Sequence, residues 1–366
     1  MQTAVQIVAH HQPSIRGEVK ACANSRRVKA RNIVIGFALL FVASQVLLAV
    51  LTAARPEMRD PYFYDKFGSL QRLQEEKKPQ QTLVAIGSSR TFYGFDAQGI
   101  EERLEAQPQE SILVYNFGQF SAGPRLNSLY LHRLAALGCK PTVVLLEVLP
   151  PLLARRAQEG YERHFISPRR MHYDELPRAE RYGWSHDELH AEWRNTILTP
   201  GYFLRMPIMG RATPWLLPPG VREDGCRQTD ARGSSWIEDA RATPEARAEG
   251  IARTRKEYAA ILESDFAICE TARLALADSI ELCRREGIRL VLYVPPEAPS
   301  FRTLYSNEAS RRIDEFLREL AVDSEVTMLD ARDWLSEDDF IDGHHPLRRG
   351  AERCSARLVM LLAASR

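Results

Sequence analysis

The chain has 366 residues, of which 45% are hydrophobic and 27% are charged, and its 49 basic and 48 acidic side chains leave a formal charge of +1. This balance gives no electrostatic reason to expect a nucleic-acid partner. The six cysteines form no CxxC pair, and the chain has neither a P-loop nor a GxGxxG fingerprint. We therefore predict no structural zinc or other metal site, no nucleotide site and no cofactor.

The first element in chain order is an uncharged run at residues 32–54, between Arg31 and Arg55. As a helix, this run would span roughly 34 Å, which is enough to cross a hydrocarbon layer of about 30 Å. It is too long for the apolar core of a signal peptide, although Thr-Ala-Ala at 52–54 resembles a cleavage site, and it lacks the polar face of a buried core helix. We predict a retained transmembrane helix, with a cleaved signal peptide and a core helix as the alternatives.

The flanks of this run predict its orientation. Residues 1–31 carry six basic side chains against Glu18 alone, whereas residues 55–80 carry six basic and five acidic ones. The positive-inside tendency therefore predicts a cytoplasmic N-terminal tail and a main domain outside, in periplasmic or extracellular space. The tail either contacts anionic lipid headgroups or is disordered. The predicted location is the cell membrane, with a single span.

Beyond the membrane segment, residues 55–81 predict a stalk or a first helix, and apolar strands then alternate with helices. Residues 152–250 interrupt this alternation as a large insertion without sustained periodicity. The alternation predicts an α/β fold, a three-layer flavodoxin-like parallel sheet, in one exoplasmic domain over residues 82–366. The predicted strands are 82–89, 111–118, 142–151, 289–294 and 326–330, and the predicted helices are 96–105, 124–138, 266–286, 307–321 and 348–364.

Residues that follow the predicted strands are the candidates for chemistry, because ligands bind beyond the carboxyl ends of a parallel sheet. Gly-Ser-Ser-Arg at 87–90 follows the first strand, Asn-Phe-Gly at 116–118 follows the second, and Asp-Gly-His-His at 342–345 comes after the fifth. This order resembles the SGNH (GDSL-like) hydrolase superfamily, in which a serine follows the first strand, a glycine the second, and Asp-x-x-His precedes the last helix. The resemblance covers residues 82–151 and 288–364.

The resemblance implies a Ser-His-Asp site with Ser89 as the nucleophile, His345 as the base and Asp342 as the partner of the imidazole. The backbone N–H groups of Ser89 and Gly118 would bind the oxyanion. The same chemistry follows from the residue types, since a hydroxyl attacks an acyl carbon only when a base removes its proton. Ser89 and His345 lie far apart in the chain, so only the fold can bring them together.

Neighbouring residues are predicted as substrate contacts or supporting groups, and two of them keep alternatives open. Ser88 is the alternative nucleophile, and His344 is the alternative base. Glu147 ends the third strand, where many SGNH members carry an oxyanion-donating Asn, and a carboxylate there repels an oxyanion unless it is protonated or turned away. An ion pair between Glu147 and Arg90 is an equally good structural role. The set of supporting residues is Ser88, Arg90, Asn116, Glu147 and His344.

The Glu-x-x-Pro ending of the third strand resembles the branch that includes alginate O-acetylation proteins and the teichoic-acid D-alanylation protein. The resemblance implies a membrane-anchored acyl esterase or O-acyltransferase that acts on an acyl ester of a cell-surface glycan, with a multispanning acyltransferase as a candidate partner. One alternative is a catalytically silent SGNH-shaped scaffold that binds glycan or organises an export complex. Another is an anchored lipase.

Two patterns inside the insertion carry weaker signals. His186 and His190 are four residues apart, but the sequence shows no HExxH motif and no third ligand, so they predict a solvated helix face rather than a metal site. Four tryptophans lie in the insertion, where packing is favoured over stacking on sugar rings. They are Trp184, Trp193, Trp215 and Trp236.

Overall fold

The computed structural model describes residues 15–106, 111–155, 162, 166–218, 229–262, 266–324 and 326–364. Its centre is one parallel sheet built from β1 (Gln81–Ile86), β2 (Ile112–Asn116), β3 (Val143–Glu147), β4 (Arg289–Val294) and β5 (Thr327–Asp330). The strand order is β2-β1-β3-β4-β5, which is the flavodoxin-like order. The first four strands are buried almost throughout, as their continuous apolar runs predict.

Helices form the outer layers of the domain and the whole of the described N-terminal segment. In chain order they are α1 (Ile15–Ala54), α2 (Pro61–Lys77), α3 (Ser89–Gly94), α4 (Ala97–Glu105), α5 (Pro124–Ala136), α6 (Pro150–Leu153), α7 (Leu176–Arg181), α8 (His186–Leu198), α9 (Pro200–Phe203), α10 (Arg205–Ala212), α11 (Pro244–Leu262), α12 (Glu270–Glu286), α13 (Pro299–Arg302), α14 (Asn307–Ser324) and α15 (Arg348–Ala364). Helix α5 packs against α12, while α3 and α4 pack against α15. The predicted three-layer α/β fold is confirmed.

Local capping explains why the helices of the sheet begin and end where they do. Asp96 precedes α4, and its carboxylate accepts a hydrogen bond from the Gly99 N–H at 2.8 Å. Pro124 is the first residue of α5, where its missing N–H costs nothing. Gly287 ends α12 with a φ of +68°, a conformation that glycine adopts without steric penalty.

Helix α1 includes the uncharged run at 32–54 and extends beyond it toward the N-terminus. One helix among the described residues, Arg26–Ala54, has the length and composition to cross a membrane. Its large apolar side chains point outward, and Phe37 and Leu39 are 70% and 66% exposed. Length and composition are consistent with either a single span or a signal sequence.

Helix α2 replaces the stalk that the sequence predicts over residues 55–81. Its Phe63, Phe67 and Leu70 are buried in the same core as the sheet. Phe63 contacts the ring of Phe117, which follows β2, at a centroid distance of 5.4 Å. Charged residues between these positions obscure the apolar face in the sequence. Of the two alternatives predicted for this segment, the first helix agrees with the structure and the stalk does not.

The insertion leaves and rejoins the sheet region at one narrow point. Ala154 and Ile268 form an antiparallel bridge, and the Cys269 N–H donates to the Leu153 carbonyl at 2.8 Å. The insertion therefore runs from 155 to 267, further than the predicted 152–250. We refer to this closure as the neck of the insertion.

A buried arginine joins the insertion to the rest of the domain. Arg133 of α5 donates to Asp60, just before α2, and to Glu175 of the insertion, with both distances 2.7 Å. All three side chains are buried, so removing either carboxylate would leave the arginine charge less well paired.

Candidate active site

The structure brings the predicted serine, histidine and aspartate into one chain of hydrogen-bond distances. Ser89 Oγ lies 2.8 Å from His345 Nε2, and His345 Nδ1 lies 2.7 Å from Asp342 Oδ2. Ser89 is the first residue of α3, directly beyond the carboxyl end of β1, and the other two precede α15. This order of atoms allows the imidazole to take the hydroxyl proton while the carboxylate fixes its orientation.

The loop that carries Asp342 is held by its own backbone. Asp342 Oδ1 accepts the backbone N–H of His345 at 2.8 Å and that of His344 at 3.2 Å. Gly343 between them has a φ of +91°, a region that glycine tolerates far better than other residues. Burial acts to raise the pKa of Asp342, but the neighbouring imidazoles and the hydrogen bonds outweigh it and lower that pKa well below its usual range. The carboxylate therefore stays ionised, as its role beside an imidazole requires.

The two alternative residues have other partners in the structure. Ser88 is 2% exposed, and its hydroxyl caps α3 by accepting the Arg90 N–H at 3.1 Å. His344 is buried, and its Nδ1 lies 3.2 Å from Thr254 Oγ1 in α11. Burial and the adjacent His345 both lower the pKa of His344 well below its usual value, which keeps this ring neutral. The geometry favours Ser89 and His345 over Ser88 and His344.

The oxyanion contact predicted for Gly118 is not supported by its hydrogen bond. The Gly118 N–H donates to Asn116 Oδ1 at 2.8 Å, and a Cβ at Gly118 would lie 2.5 Å from the Phe92 backbone nitrogen. Asn116 is fully buried, and its amide group donates to the carbonyls of Thr91 and Phe95, both at 2.9 Å. Gly118 and Asn116 thus hold α3 against β2.

The backbone N–H of Ser89 is the other predicted oxyanion donor. The first residues of a helix have no carbonyl one turn back to accept their N–H groups. The Ser89 N–H occupies such a position at the start of α3.

The predicted pairing of Glu147 with Arg90 is wrong. Glu147 is 1% exposed, and its Oε2 accepts the backbone N–H groups of Ser88 at 3.0 Å and Thr91 at 3.2 Å, together with the Thr91 hydroxyl. Its Oε2 therefore faces the start of α3. Burial raises the pKa of Glu147, and the hydrogen bonds from Ser88 and Thr91 oppose this rise.

Arg90 pairs instead with a carboxylate that the sequence analysis missed. Its Nη1 donates to Glu297 Oε1 at 2.9 Å, and both side chains are almost completely buried. The guanidinium also lies over the ring of Phe301 at 4.6 Å, and the Tyr305 hydroxyl donates to Glu297 at 2.6 Å. Glu297 follows β4, so the same search of strand ends that found Ser89 could have found it.

A cavity of about 400 Å³ opens above the three residues. Its wall on the sheet side includes Ser89, Tyr93 and His345, while Thr254 and Tyr258 of α11 form part of the opposite wall. The volume lies toward the small end of ordinary ligand sites. Sequence analysis missed α11, although its buried positions at 250, 254, 258 and 261 have helical spacing.

Two clusters among the described residues have the donor atoms of a metal site. Asp342, His344 and His345 form one cluster, whose short distances are those of the hydrogen bonds above. In the other, Glu180 Oε1 lies 3.1 Å from His186 Nδ1 and 2.9 Å from His190 Nε2. Glu180 is the third group that the sequence did not reveal, and its exposed hydrogen bonds to both rings already account for the arrangement.

Comparisons with known proteins find more similarity among solved structures than among sequences. One protein-family model matches residues 249–363, which is less than half of the chain. No curated protein sequence matches the chain. Similar solved structures are the lipase/acylhydrolase from Enterococcus faecalis (12% identity, TM-score 0.37, 78% of this chain and 97% of that one), a lipolytic protein of the G-D-S-L family from Desulfitobacterium hafniense (11%, 0.35, 77% and 99%), and the carbohydrate acetylesterase Est24 from Sinorhizobium meliloti (13%, 0.35, 78% and 100%).

The fold and the order of the motifs along the chain are those that the sequence resemblance to the SGNH-like hydrolase superfamily implies. The alginate and teichoic-acid branch is not confirmed. With TM-scores of 0.37 and below, these similarities carry no argument about activity or substrate.

Proposed function

We propose that the chain is a membrane-anchored serine acyl esterase or O-acyltransferase that acts on an ester of a cell-surface glycan. The observation that carries the proposal is the continuous contact from Ser89 Oγ through His345 to Asp342, at 2.8 and 2.7 Å. The hydroxyl and the imidazole come from opposite ends of the domain sequence. Their convergence at the carboxyl ends of the strands is the arrangement that acyl transfer requires.

In the proposed mechanism, His345 removes the Ser89 proton as Oγ attacks the acyl carbon. The tetrahedral oxyanion forms beside the Ser89 N–H, and ionised Asp342 stabilises the imidazolium. Collapse breaks the bond to the leaving alkoxide, which takes the proton from His345, and leaves an acyl group on Ser89. Water or a glycan hydroxyl then gives its proton to His345 and attacks the acyl carbon. The bond from that carbon to Oγ breaks, Oγ takes the proton from His345, and the free acid or the acylated glycan leaves.

The cavity and the N-terminal helix support the substrate and the location. A volume of about 400 Å³ suits a short acyl group with a sugar ring better than a long lipid chain, and Arg253, Thr254 and Glu257 give its wall polar atoms for hydroxyl groups. Helix α1, retained as an anchor, would hold the domain on the periplasmic or extracellular face. A multispanning acyltransferase would supply the acyl group in the transfer form of the proposal.

Gly118 and Glu147 favour a second candidate, the catalytically silent scaffold. The Gly118 N–H is engaged by Asn116, and Glu147 occupies the strand end where an oxyanion-donating Asn was expected. A chain with one oxyanion donor instead of three would be a weaker catalyst, because each donor contributes roughly 3–4 kcal/mol to the transition state. The scaffold would bind glycan without turning over an ester.

Ser89→Ala in the full-length protein separates these candidates. With p-nitrophenyl acetate as substrate, we expect a loss of about 10³-fold or more in kcat, since the nucleophile is removed. Ser121→Ala is the matched control, because Ser121 lines the same cavity, and it should stay near wild type. Intact mass spectrometry should find an acyl group on the wild type alone. Equal rates for wild type and Ser89→Ala, with undiminished polysaccharide binding, would establish the scaffold instead.

A further inference from the structure

The insertion contacts the apolar helix at a depth well inside its uncharged run. Helices α8 and α9 pack against α1, and the Gly201 N–H donates to Gln45 Oε1 at 3.1 Å. Leu48 also lies close, since a Cβ at Gly201 would meet it at 3.1 Å. Gln45 lies roughly 13 Å along α1 from its end at Ala54, at 1.5 Å per residue. An α1 that crosses the bilayer would therefore carry this part of the insertion into the outer leaflet.

The same part of the insertion exposes large apolar side chains. Leu198, Tyr202, Trp215 and Leu216 are each between 62% and 69% exposed. Contiguous exposed apolar surface marks a contact with a partner or a membrane, and Trp and Tyr are enriched where lipid meets water. We call residues 197–217 the membrane shoulder.

Basic side chains lie at the edge of the membrane shoulder. Arg59, Arg169 and Arg205 line a cavity of about 440 Å³, together with apolar side chains such as Phe203 and Met206. Arg169 pairs with Glu192 at 2.7 Å, which leaves the cavity with an excess of positive charge. Arg59 follows the end of α1 by five residues, so the cavity lies near the end of the helix. Apolar walls with arginines at the rim match the chemistry of a phospholipid headgroup above its acyl chains.

We propose that the membrane shoulder is seated in the outer leaflet beside α1, with the phosphate of an anionic phospholipid in the arginine-lined cavity. This inference rests on the proposed function in one respect, the retention of α1 as an anchor. Packing against α1 favours lipid as the occupant, since a surface beside a membrane span at this depth lies in the outer leaflet. The seat would hold the domain at a fixed height and orientation above the bilayer.

Quenching of tryptophan fluorescence by brominated acyl chains tests whether the membrane shoulder of the full-length protein lies in the outer leaflet. In vesicles of brominated phosphatidylglycerol, we expect the wild type to be quenched and Trp215→Phe to lose most of that quenching. Trp236→Phe is the matched control, because Trp236 lies beside Arg348 of α15 and not on the membrane shoulder. Equal quenching of Trp215→Phe and Trp236→Phe would overturn the proposal.

The headgroup is tested with the same readout. We expect stronger quenching in brominated phosphatidylglycerol than in brominated phosphatidylcholine, and Arg205→Gln should reduce that difference at least twofold. No difference for the wild type would contradict the arginine site. Failure of the proposed function is distinguishable from these outcomes, because loss of the anchor would leave the protein in the supernatant after vesicle sedimentation, and loss of catalysis would appear in the Ser89→Ala assay alone.

Discussion

The sheet and the insertion contribute to the candidate site in different ways. On the sheet side, Ser89 and His345 lie on short segments tied to backbone N–H groups and buried carboxylates. On the insertion side, α11 contributes Thr254 and Tyr258 to the cavity wall, and residues 197–217 expose apolar groups beside α1. The comparison shows that the candidate catalytic side chains lie beside the strand ends of the sheet, whereas the insertion adds part of the cavity wall and the contact with α1.

The largest effect should follow from Asp342→Asn, which tests the sheet side. The amide cannot stabilise an imidazolium and favours the wrong tautomer of His345, so we expect kcat to fall by about 10³- to 10⁴-fold. Ester hydrolysis by the purified full-length protein measures it, with an unchanged far-UV circular dichroism spectrum as the control. A rate within tenfold of the wild type would show that the carboxylate does not support catalysis.

Arg90→Met should produce the next largest effect, on stability. The change removes the arginine that pairs with the buried Glu297 carboxylate and leaves the hydrogen bond from the Tyr305 hydroxyl in place. Breaking a buried ion pair in this way costs about 3–5 kcal/mol of folding free energy. Chemical denaturation measures the loss. The double variant Arg90→Met with Glu297→Leu should recover part of it, because no buried charge is then left alone. A double variant less stable than Arg90→Met would rule out this explanation.

The wild type and Glu147→Gln should differ in how the free energy of unfolding depends on pH. Burial raises the pKa of Glu147 above its ordinary value of 4.5 in the folded chain, so the folded state holds this proton more tightly than the unfolded state. The contribution of Glu147 is therefore fully present below pH 4.5 and is lost as the pH rises through the folded pKa. We expect Glu147→Gln to gain stability relative to the wild type over that range. Parallel curves of unfolding free energy against pH would contradict the buried carboxylic acid.

Thr254→Val tests the insertion side and should have the smallest effect. It removes the hydrogen bond to His344, whose ring lies 4.0 Å from that of His345 between centroids. Loss of about 1 kcal/mol of positioning corresponds to roughly a fivefold decrease in kcat. Steady-state hydrolysis measures it, with Arg255→Gln as the control, because Arg255 is exposed on α11 and lies outside the cavity lining. A decrease in kcat as large as that of Asp342→Asn would contradict the smaller catalytic contribution expected of the insertion.

The sheet was predictable because its signals are local. Continuous apolar runs and capping residues predicted strand 289–294 without error and the last helix at 348–364, and the carboxyl ends of the strands led to Ser89 and Asp342. The pairing of Ser89 with His345 was implied by the SGNH-like resemblance, and the α/β topology is consistent with it, since parallel strands present their carboxyl ends at one edge.

The partners of the buried polar residues were not predictable from local signals. Arg90 follows Ser89 directly, but its partner Glu297 is 207 positions away, and the pairing of β1 with β3 and of β3 with β4 brings them together. Gly118 matched a motif, yet its N–H is engaged by Asn116 two residues earlier. Outside α11, the insertion gave no sustained periodic signal; its α8 and α9 pack against α1, whereas α11 packs against α6 and α13 of the domain. The apolar positions of the insertion therefore belong to two different buried faces and do not follow a single helical period.

The neck of the insertion has a consequence for the order of folding. During synthesis β1, β2 and β3 can pair while β4 is still absent, because the insertion and α12 lie between β3 and β4 in the chain. Closing so long a loop costs only about 0.6 kcal/mol for each doubling of its length, but it delays the pairing. Until β4 arrives, β3 remains an unpaired apolar edge, which is a template for association between chains. The bridge between Ala154 and Ile268 lies at the neck, where the chain returns from the insertion toward β4, so it holds the segment before β4 close to the end of β3.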